Sequence, residues 1–283
     1  MDTFQRAGTR LQKEFFMTAL RIITIALIFL LITVASLQAG PPLVTDDASP
    51  VDVGKVEIEL NGAYTFDKEM QGEVGVKAER HKAEMKLNTG LYKNLGLSLI
   101  IPYTFSEVEK EGNQLVRETD GVGDMTLEIK YAFAEFSGIS FAIKPFIIIP
   151  TGRYSAGLSE GRWQFGTTLI ASKYLVEGKY GVHANLGYEH HDYRSDEAMD
   201  SNRNELWNAS IACEIKVMNG LTAVADVGLA SNLDKGSNQL PAYALTGVRY
   251  EINDHLDINA GVKLGLTKPE DDLSILYGMV LKF

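Results

Sequence analysis

From Val56 onward the chain alternates apolar and polar residues with period two. Val56, Ile58, Leu60, Tyr64 and Phe66 interleave with Glu57, Glu59, Asn61, Ala63 and Thr65. Successive side chains of a strand point to opposite faces, so this segment has one apolar and one hydrophilic face. The pattern returns with Ala83, Met85, Leu87 and Leu91 set against Lys82, Glu84, Lys86 and Asn88. It returns again with Leu97, Leu99, Ile101, Tyr103 and Phe105, and then with Met125, Leu127, Ile129, Tyr131 and Phe133 against Asp124, Thr126, Glu128 and Lys130. Further alternating segments lie near 139–150, 161–174, 180–190, 204–217, 220–231, 241–252, 256–267 and 273–283, which makes about twelve strands.

Strand length decides what these faces are for. Each segment runs to roughly 10–14 residues, whereas strands of soluble proteins are mostly about 5–6. A tilted strand crossing a bilayer needs about 9–11. The connections alternate too: short ones near 93–94, 134–138, 176–179, 218–220 and 253–255, longer polar ones at 67–79, 106–120, 151–161, 191–203, 232–239 and 268–272. Outer-membrane barrels combine short periplasmic turns, longer extracellular loops and an even strand number. The fold class read from the sequence is therefore all-β, a closed antiparallel transmembrane β-barrel of about twelve strands. Closure is required because an open sheet edge in hydrocarbon leaves a row of backbone groups unpaired. The first strand should accordingly pair with the last. Tyr64, Phe66, Tyr103, Phe105, Tyr131, Phe133, Trp163, Phe165, Tyr180, Tyr188, Trp207 and Tyr250 fall near strand ends on the apolar phase, as interfacial aromatic girdles do.

Ahead of the pattern, Ile22 to Ala35 form an apolar run of about 14 residues, preceded by Arg6, Arg10, Lys13 and Arg21 and followed by Ala35, Ser36, Ala39 and Gly40. That is short for a membrane anchor and fits a signal peptide over residues 1–39, with Met17 an alternative start. Residues 40–54 then form a periplasmic N-terminal segment and 55–283 the barrel, too short a lead to hold an autotransporter passenger. At the other end Ile275, Tyr277, Met279, Leu281 and Phe283 alternate with Leu276, Gly278, Val280 and Lys282. A last strand ending in Phe resembles the signal read by bacterial barrel-assembly machinery, so Phe283 is expected to recruit that partner.

Composition narrows the function classes. The chain has 27 Lys and Arg against 37 Asp and Glu, a net charge of −10, which argues against a nucleic-acid partner. One cysteine, Cys213, excludes an internal disulfide framework and any multi-cysteine metal site. A mean hydropathy of −0.05 excludes a bundle of membrane helices. No cofactor and no metal is expected.

With the apolar phase toward lipid, the other phase lines the lumen. Its acidic candidates are Glu57, Glu59, Glu84, Asp124, Glu128, Glu189, Glu214, Asp226, Glu251 and Asp257. Its basic candidates are Lys82, Lys86, Lys130, Lys144, Arg162, Lys216, Arg249, Lys263 and Lys282. The two signs nearly balance, so pairing inside the lumen is expected, with Arg249 and Glu251, or Lys82 and Glu84, as candidate pairs. About twelve strands lie between barrels filled by side chains and barrels holding an aqueous channel. A narrow pore follows, partly blocked by an inward loop or by residues 41–54.

Several motifs point elsewhere and are weaker. Gly157-Leu158-Ser159-Glu160-Gly161 matches a nucleophile elbow, but that motif needs a strand-to-helix turn in an α/β sheet, and here it falls in a loop. No catalytic residue is assigned to it. His190-His191-Asp192 offers metal-ligand chemistry within what reads as a solvated loop. Cys213, on the apolar phase, is expected to be an inert thiol. Ser172, His183 and Glu189 would have to converge for a barrel enzyme.

Three stretches carry a resemblance: Pro42-Leu43-Val44-Thr45-Asp46-Asp47; Asp120-Gly121-Val122-Gly123-Asp124 leading to Lys130-Tyr131; and Pro145 to Pro150-Thr151-Gly152-Arg153-Tyr154. They are similar to the bacterial outer-membrane family named after the meta-cleavage pathway of phenol degradation. The resemblance implies an outer-membrane channel or transporter for small molecules, hydrophobic or aromatic compounds among them, and supplies no catalytic residues. Outer-membrane lipid, lipopolysaccharide and a small-molecule solute would be its partners. With no functional role assigned, Thr45-Asp46-Asp47 would be a capped turn before the first strand. Two other readings stay open: a closed structural barrel with paired lumenal charges, and an outer-membrane lipid-modifying enzyme.

Overall fold

The computed structural model describes residues 40–71, 74–112 and 114–283; the expected signal peptide lies outside them. One 13-stranded antiparallel sheet holds β1 (Val56–Gln71), β2 (Val74–Tyr92), β3 (Leu95–Glu111), β4 (Gln114–Val122), β5 (Met125–Phe136), β6 (Ile139–Ile149) and β7 (Gln164–Leu175). It continues through β8 (Tyr180–His190), β9 (Glu205–Met218), β10 (Leu221–Ala230), β11 (Ala242–Asn253), β12 (Leu256–Gly265) and β13 (Leu273–Lys282). β3 pairs with β4 along one half (Tyr103 opposite Val122) and with β5 along the other (Ile100 opposite Thr126). β4 and β5 thus share one place in the wall, broken at Gly123 and Asp124. The barrel has twelve staves.

The ring is closed by β1 against β13, antiparallel, with Glu57 opposite Lys282 and Phe66 opposite Leu273. Backbone bonds between Val56 and Phe283 in both directions (3.2 and 2.9 Å) finish the seam. The expected pairing of first and last strands holds. Alternation also sorts the faces as expected: along β9 and β10, Ile211, Cys213, Ile215, Ala225 and Val227 are exposed while Ala212, Glu214, Val224 and Asp226 are buried. The inner face is not uniformly polar, since Val224, Leu245 and Ile170 turn inward and are buried. Phe146 lies over Gly166 and Tyr243 over Gly228, filling space that a side chain at either glycine would take.

Two expectations are corrected. Residues 67–79 and 106–120 are largely strand, because β1, β2 and β3 run to 16, 19 and 17 residues and continue their ladders beyond the neighbouring staves. Strand lengths therefore exceed the expected range at this corner. The remaining long connections are packed loops. In 150–163 the Ser159 hydroxyl accepts from Gly161 N–H (2.9 Å), and Gly157 and Gly161 both sit at φ 70°, so the Gly-x-Ser-x-Gly run is turn geometry. Between β8 and β9 a short helix, α1 (Asp196–Ser201), is capped by Ser195, whose hydroxyl accepts from Ala198 N–H at 3.1 Å.

Candidate functional site

Residues 40–54 run inside the barrel. Pro42 packs against the inner face at Gly247 of β11 and Gly261 of β12, where a Cβ on Gly261 would meet its ring at 3.0 Å. The backbone N–H groups of Val44 and Thr45 donate to the Asp226 carboxylate of β10 (2.9 and 2.8 Å), as does the Thr45 hydroxyl (2.9 Å), whose oxygen also lies 2.7 Å from the Ser210 hydroxyl of β9. Asn185 of β8, in the amide orientation that satisfies both groups, brackets the Asp46 backbone at 2.8 and 2.9 Å. Ala48 N–H donates to Ser172 of β7 (2.9 Å), and the fully buried Ala48 methyl packs with Ala142 of β6 and Ile170 of β7. Further on, Val51 and Asp52 cross the inner face of β2 at Gly90, where Val53 makes a parallel bridge. Thr45-Asp46-Asp47 keeps turn-type local bonds, with Asp47 Oδ1 accepting from Ser49 N–H (3.1 Å), but its long-range partners lie on several staves of the barrel.

Charge concentrates at the middle of this segment. Asp46 receives Lys130 of β5 at 2.8 Å and Lys144 of β6 at 2.9 Å, and Lys130 also approaches Asp47 at 3.5 Å. Behind them Glu128 of β5 pairs with Lys86 of β2 (3.1 Å) and Lys144 (3.6 Å). Burial opposes ionisation of Asp46, but the ammonium groups of Lys130, Lys144 and Lys86 outweigh it and hold its carboxyl well below the usual carboxylate range. For Asp47 burial prevails over the pull of Lys130, with the adjacent Asp46 charge adding to the rise, so its carboxyl is pushed up. Tyr174 of β7 donates to Asp47 (3.2 Å).

A second buried chain of side chains lies next to it. Ser172 Oγ is 2.9 Å from His183 Nδ1, His183 Nε2 is 3.4 Å from Glu214 Oε1, and Glu214 Oε2 accepts from Arg249 at 3.0 Å. Arg249 of β11 therefore reaches past β10 to Glu214 of β9 and does not pair with Glu251, near the end of its own strand. Lys82 likewise pairs with Glu107 (2.8 Å) and not with Glu84. Reach across the sheet explains both differences: Lys82 meets Glu107 on the neighbouring strand β3 and the long Arg249 side chain passes over β10, whereas residues two apart on one strand stand about 7 Å from each other. Of the set Ser172, His183 and Glu189, the first two meet, while Glu189 pairs with His191 (3.0 Å) and Glu214 takes its place.

Other candidates fall in separate places. Glu59 and Glu84 share the amides of Asn88 (2.5 Å) and Asn61 (3.4 Å), and Glu57 stands beside Lys282 in the seam register. Lys282 itself pairs with Asp257 (2.7 Å), and Lys263 with Glu270 (2.6 Å). Lys216 is half-buried near the β9 end, its backbone bonded to Lys179. Asp124 is not free in the lumen: it accepts from Gly152 N–H (2.8 Å), while Thr151 bonds Gly123 and Met125, so two of the motifs quoted above lock one loop onto the β4–β5 break. Arg162 stands exposed in the loop before β7. His190 pairs with Glu205 (2.8 Å), and among the described residues no cluster of metal-ligating groups forms.

The family model described as "Putative MetA-pathway of phenol degradation" matches residues 59–283. The chain belongs to this family. Its barrel is similar to that of a COG4313 outer membrane channel from Pseudomonas putida F1, at 16% identity and a TM-score of 0.68 over 87% of this chain and 100% of that one. It is also similar to the NanC porin, at 10% identity and a TM-score of 0.54 over 80% and 100% of the two chains. The KdgM porin gives 10% identity and 0.52 over 80% and 99%. No curated protein matches in sequence. At such identities the likeness is one of fold: family and architecture agree on a closed barrel of the outer-membrane kind.

Proposed function

We propose that this family member is an outer-membrane channel for small solutes whose lumen is kept shut by its own residues 40–54. The observation that carries the reading is the course of that segment. Within some fifteen residues it contacts staves from β12 round to β2, and it neutralises wall charges on its way. A segment meeting opposite walls occupies the cross-section between them. It is held by hydrogen bonds and ion pairs rather than by a large apolar core, which suits an element that must leave and return. Lipid and lipopolysaccharide surround the outer face in this reading, and Phe283 at the seam is offered to the assembly machinery. We read the protein as a non-enzyme: Ser172 and His183 are almost wholly buried, and the Ser172 hydroxyl is occupied by Ala48 N–H.

The test is conductance. Full-length protein in planar bilayers should pass little current, and deletion of residues 42–50 should raise single-channel conductance several-fold. Folding of both forms is checked by heat-modifiable gel mobility. A folded deletion variant with unchanged conductance would return the protein to the closed structural barrel, the reading that the same buried ion pairs otherwise support.

A further inference from the structure

The contacts of Asp46 describe the ligand that the wall is built for. We infer that the open lumen binds small carboxylates bearing a short apolar group, and that Asp46 and Ala48 occupy that solute's place when the channel is shut. This rests on the plugged-channel reading and adds the solute class to it.

Three observations converge. First, Asp46 presents a single carboxylate to two ammonium groups, Lys130 at 2.8 Å on one oxygen and Lys144 at 2.9 Å on the other. Both lysines belong to the wall, so the seat persists when the segment leaves. Second, the charge left behind is positive. Once Asp46 and Asp47 withdraw, Lys130 keeps no ion pair among the described residues and Lys144 keeps only Glu128, which it shares with Lys86; Glu59 and Glu84 offset Lys86 and not Lys130. A buried surplus of this kind is costly until an anion enters, which makes the vacated seat attractive to one. Third, the seat has an apolar neighbour. Ala48, two residues on and fully buried, packs against Ala142 and Ile170 with Ala132 beside them. A short hydrocarbon group attached to the solute carboxylate would fill that hollow, while Ser172 and Asn185 regain partners from water or from the solute. Of the other inner-wall carboxylates, Glu214 is taken by Arg249, and the charges of Glu59 and Glu84 act on Lys86 rather than on Lys130.

The test uses potassium butyrate as probe in the protein deleted for 42–50. Reversal potentials in a potassium chloride gradient should show anion preference, and butyrate should reduce the chloride current saturably. In the same background Lys130→Gln with Lys144→Gln should abolish the preference and weaken butyrate about tenfold or more, the loss expected for a charge-assisted hydrogen bond. Lys130→Arg with Lys144→Arg should keep both properties and guards against a misfolded Gln pair. In the intact chain, butyrate should speed maleimide labelling of Ser49→Cys in a Cys213→Ser background by competing Asp46 out. Conductance that is cation-selective, or anion-selective without saturation by butyrate, overturns the inference while leaving the channel standing. Absence of current in every folded variant removes the channel reading and this inference with it.

Discussion

At the scale of single residues the segment's hold depends on Asp46. Replacing it by Asn keeps shape and removes the charge, leaving Lys130 and Lys144 with one neutral amide oxygen and turning an amide NH2 towards the other ammonium group. Breaking a largely buried ion pair from one side costs about 3–5 kcal/mol. If that cost falls on docking, the shut-to-open ratio drops by about 100-fold or more, and the open probability of Asp46→Asn in bilayers should rise accordingly. Protonation should act differently. The Asp46 carboxyl is held low in the docked state, so its contribution is fully present above the pKa it would have when released and is lost only as pH falls through the lower docked value. Asp47 is pushed up, so its docked form takes a proton more readily than its released form, and mild acid favours docking through it. Both signs predict that moving from neutral pH to about pH 5 leaves the channel shut, the released carboxylates titrating near about 4. Current that appears on mild acidification would show that another group governs the segment.

At the scale of elements, the segment is accommodated by glycines in the strands it crosses. A Cβ on Gly90 would strike the carbonyl oxygens of Val51 and Asp52, so Gly90→Val should prevent residues 51–53 from lying along β2. The Ser49→Cys, Cys213→Ser protein should then be labelled by maleimide much faster than its Gly90 parent, with the barrel itself still heat-modifiable. Such glycines mark what sequence reading could and could not reach. The staves were legible because alternation is local: Ile211, Cys213 and Ile215 against Ala212 and Glu214 declare two faces without knowledge of any other strand. The course of residues 40–54 was not, since the segment has no period and its partners are remote in the chain, 84 positions away for Asp46 with Lys130 and 182 for Val44 with Asp226. Charge pairing failed for the same reason. Arg249 and Glu251 are close in sequence, but the carboxylate that Arg249 reaches is Glu214, two strands away on β9. What did mark the segment was the density of polar, turn-forming residues between Thr45 and Ser49 directly before a strand, and that signal fits a capped turn equally well. Asp124 and Thr151 are similar cases, polar residues of a quoted motif whose work is to hold a loop to the wall where β4 and β5 part.

At the scale of the whole molecule, the barrel's placement depends on which side of the wall meets hydrocarbon. Ile211 on β9 and Val227 on β10 stand opposite each other near mid-strand, 57% and 53% exposed, in a band that also holds Cys213 and Ala225. In water such a band would be an aggregation liability spread over the whole circumference; in a bilayer it is the lipid contact. The inner wall answers it with Glu214, Asp226 and the lysine cluster, all engaged by partners within the barrel or by the N-terminal segment. A cation introduced at Ile211 should therefore be penalised by depth in the membrane and not by packing. Ile211→Lys should lower folding stability into phospholipid vesicles by about 2–4 kcal/mol, the range found for a basic residue at the bilayer midplane. The control is Trp207→Lys on the same face but nearer the strand end, where the cost should shrink towards about 0–1 kcal/mol once the lost ring contacts are allowed for. Denaturant titration of vesicle-inserted protein reads both. Equal penalties at the two positions, or none at Ile211, would mean that the apolar band does not face lipid, and a pore through the centre would then have nothing to connect.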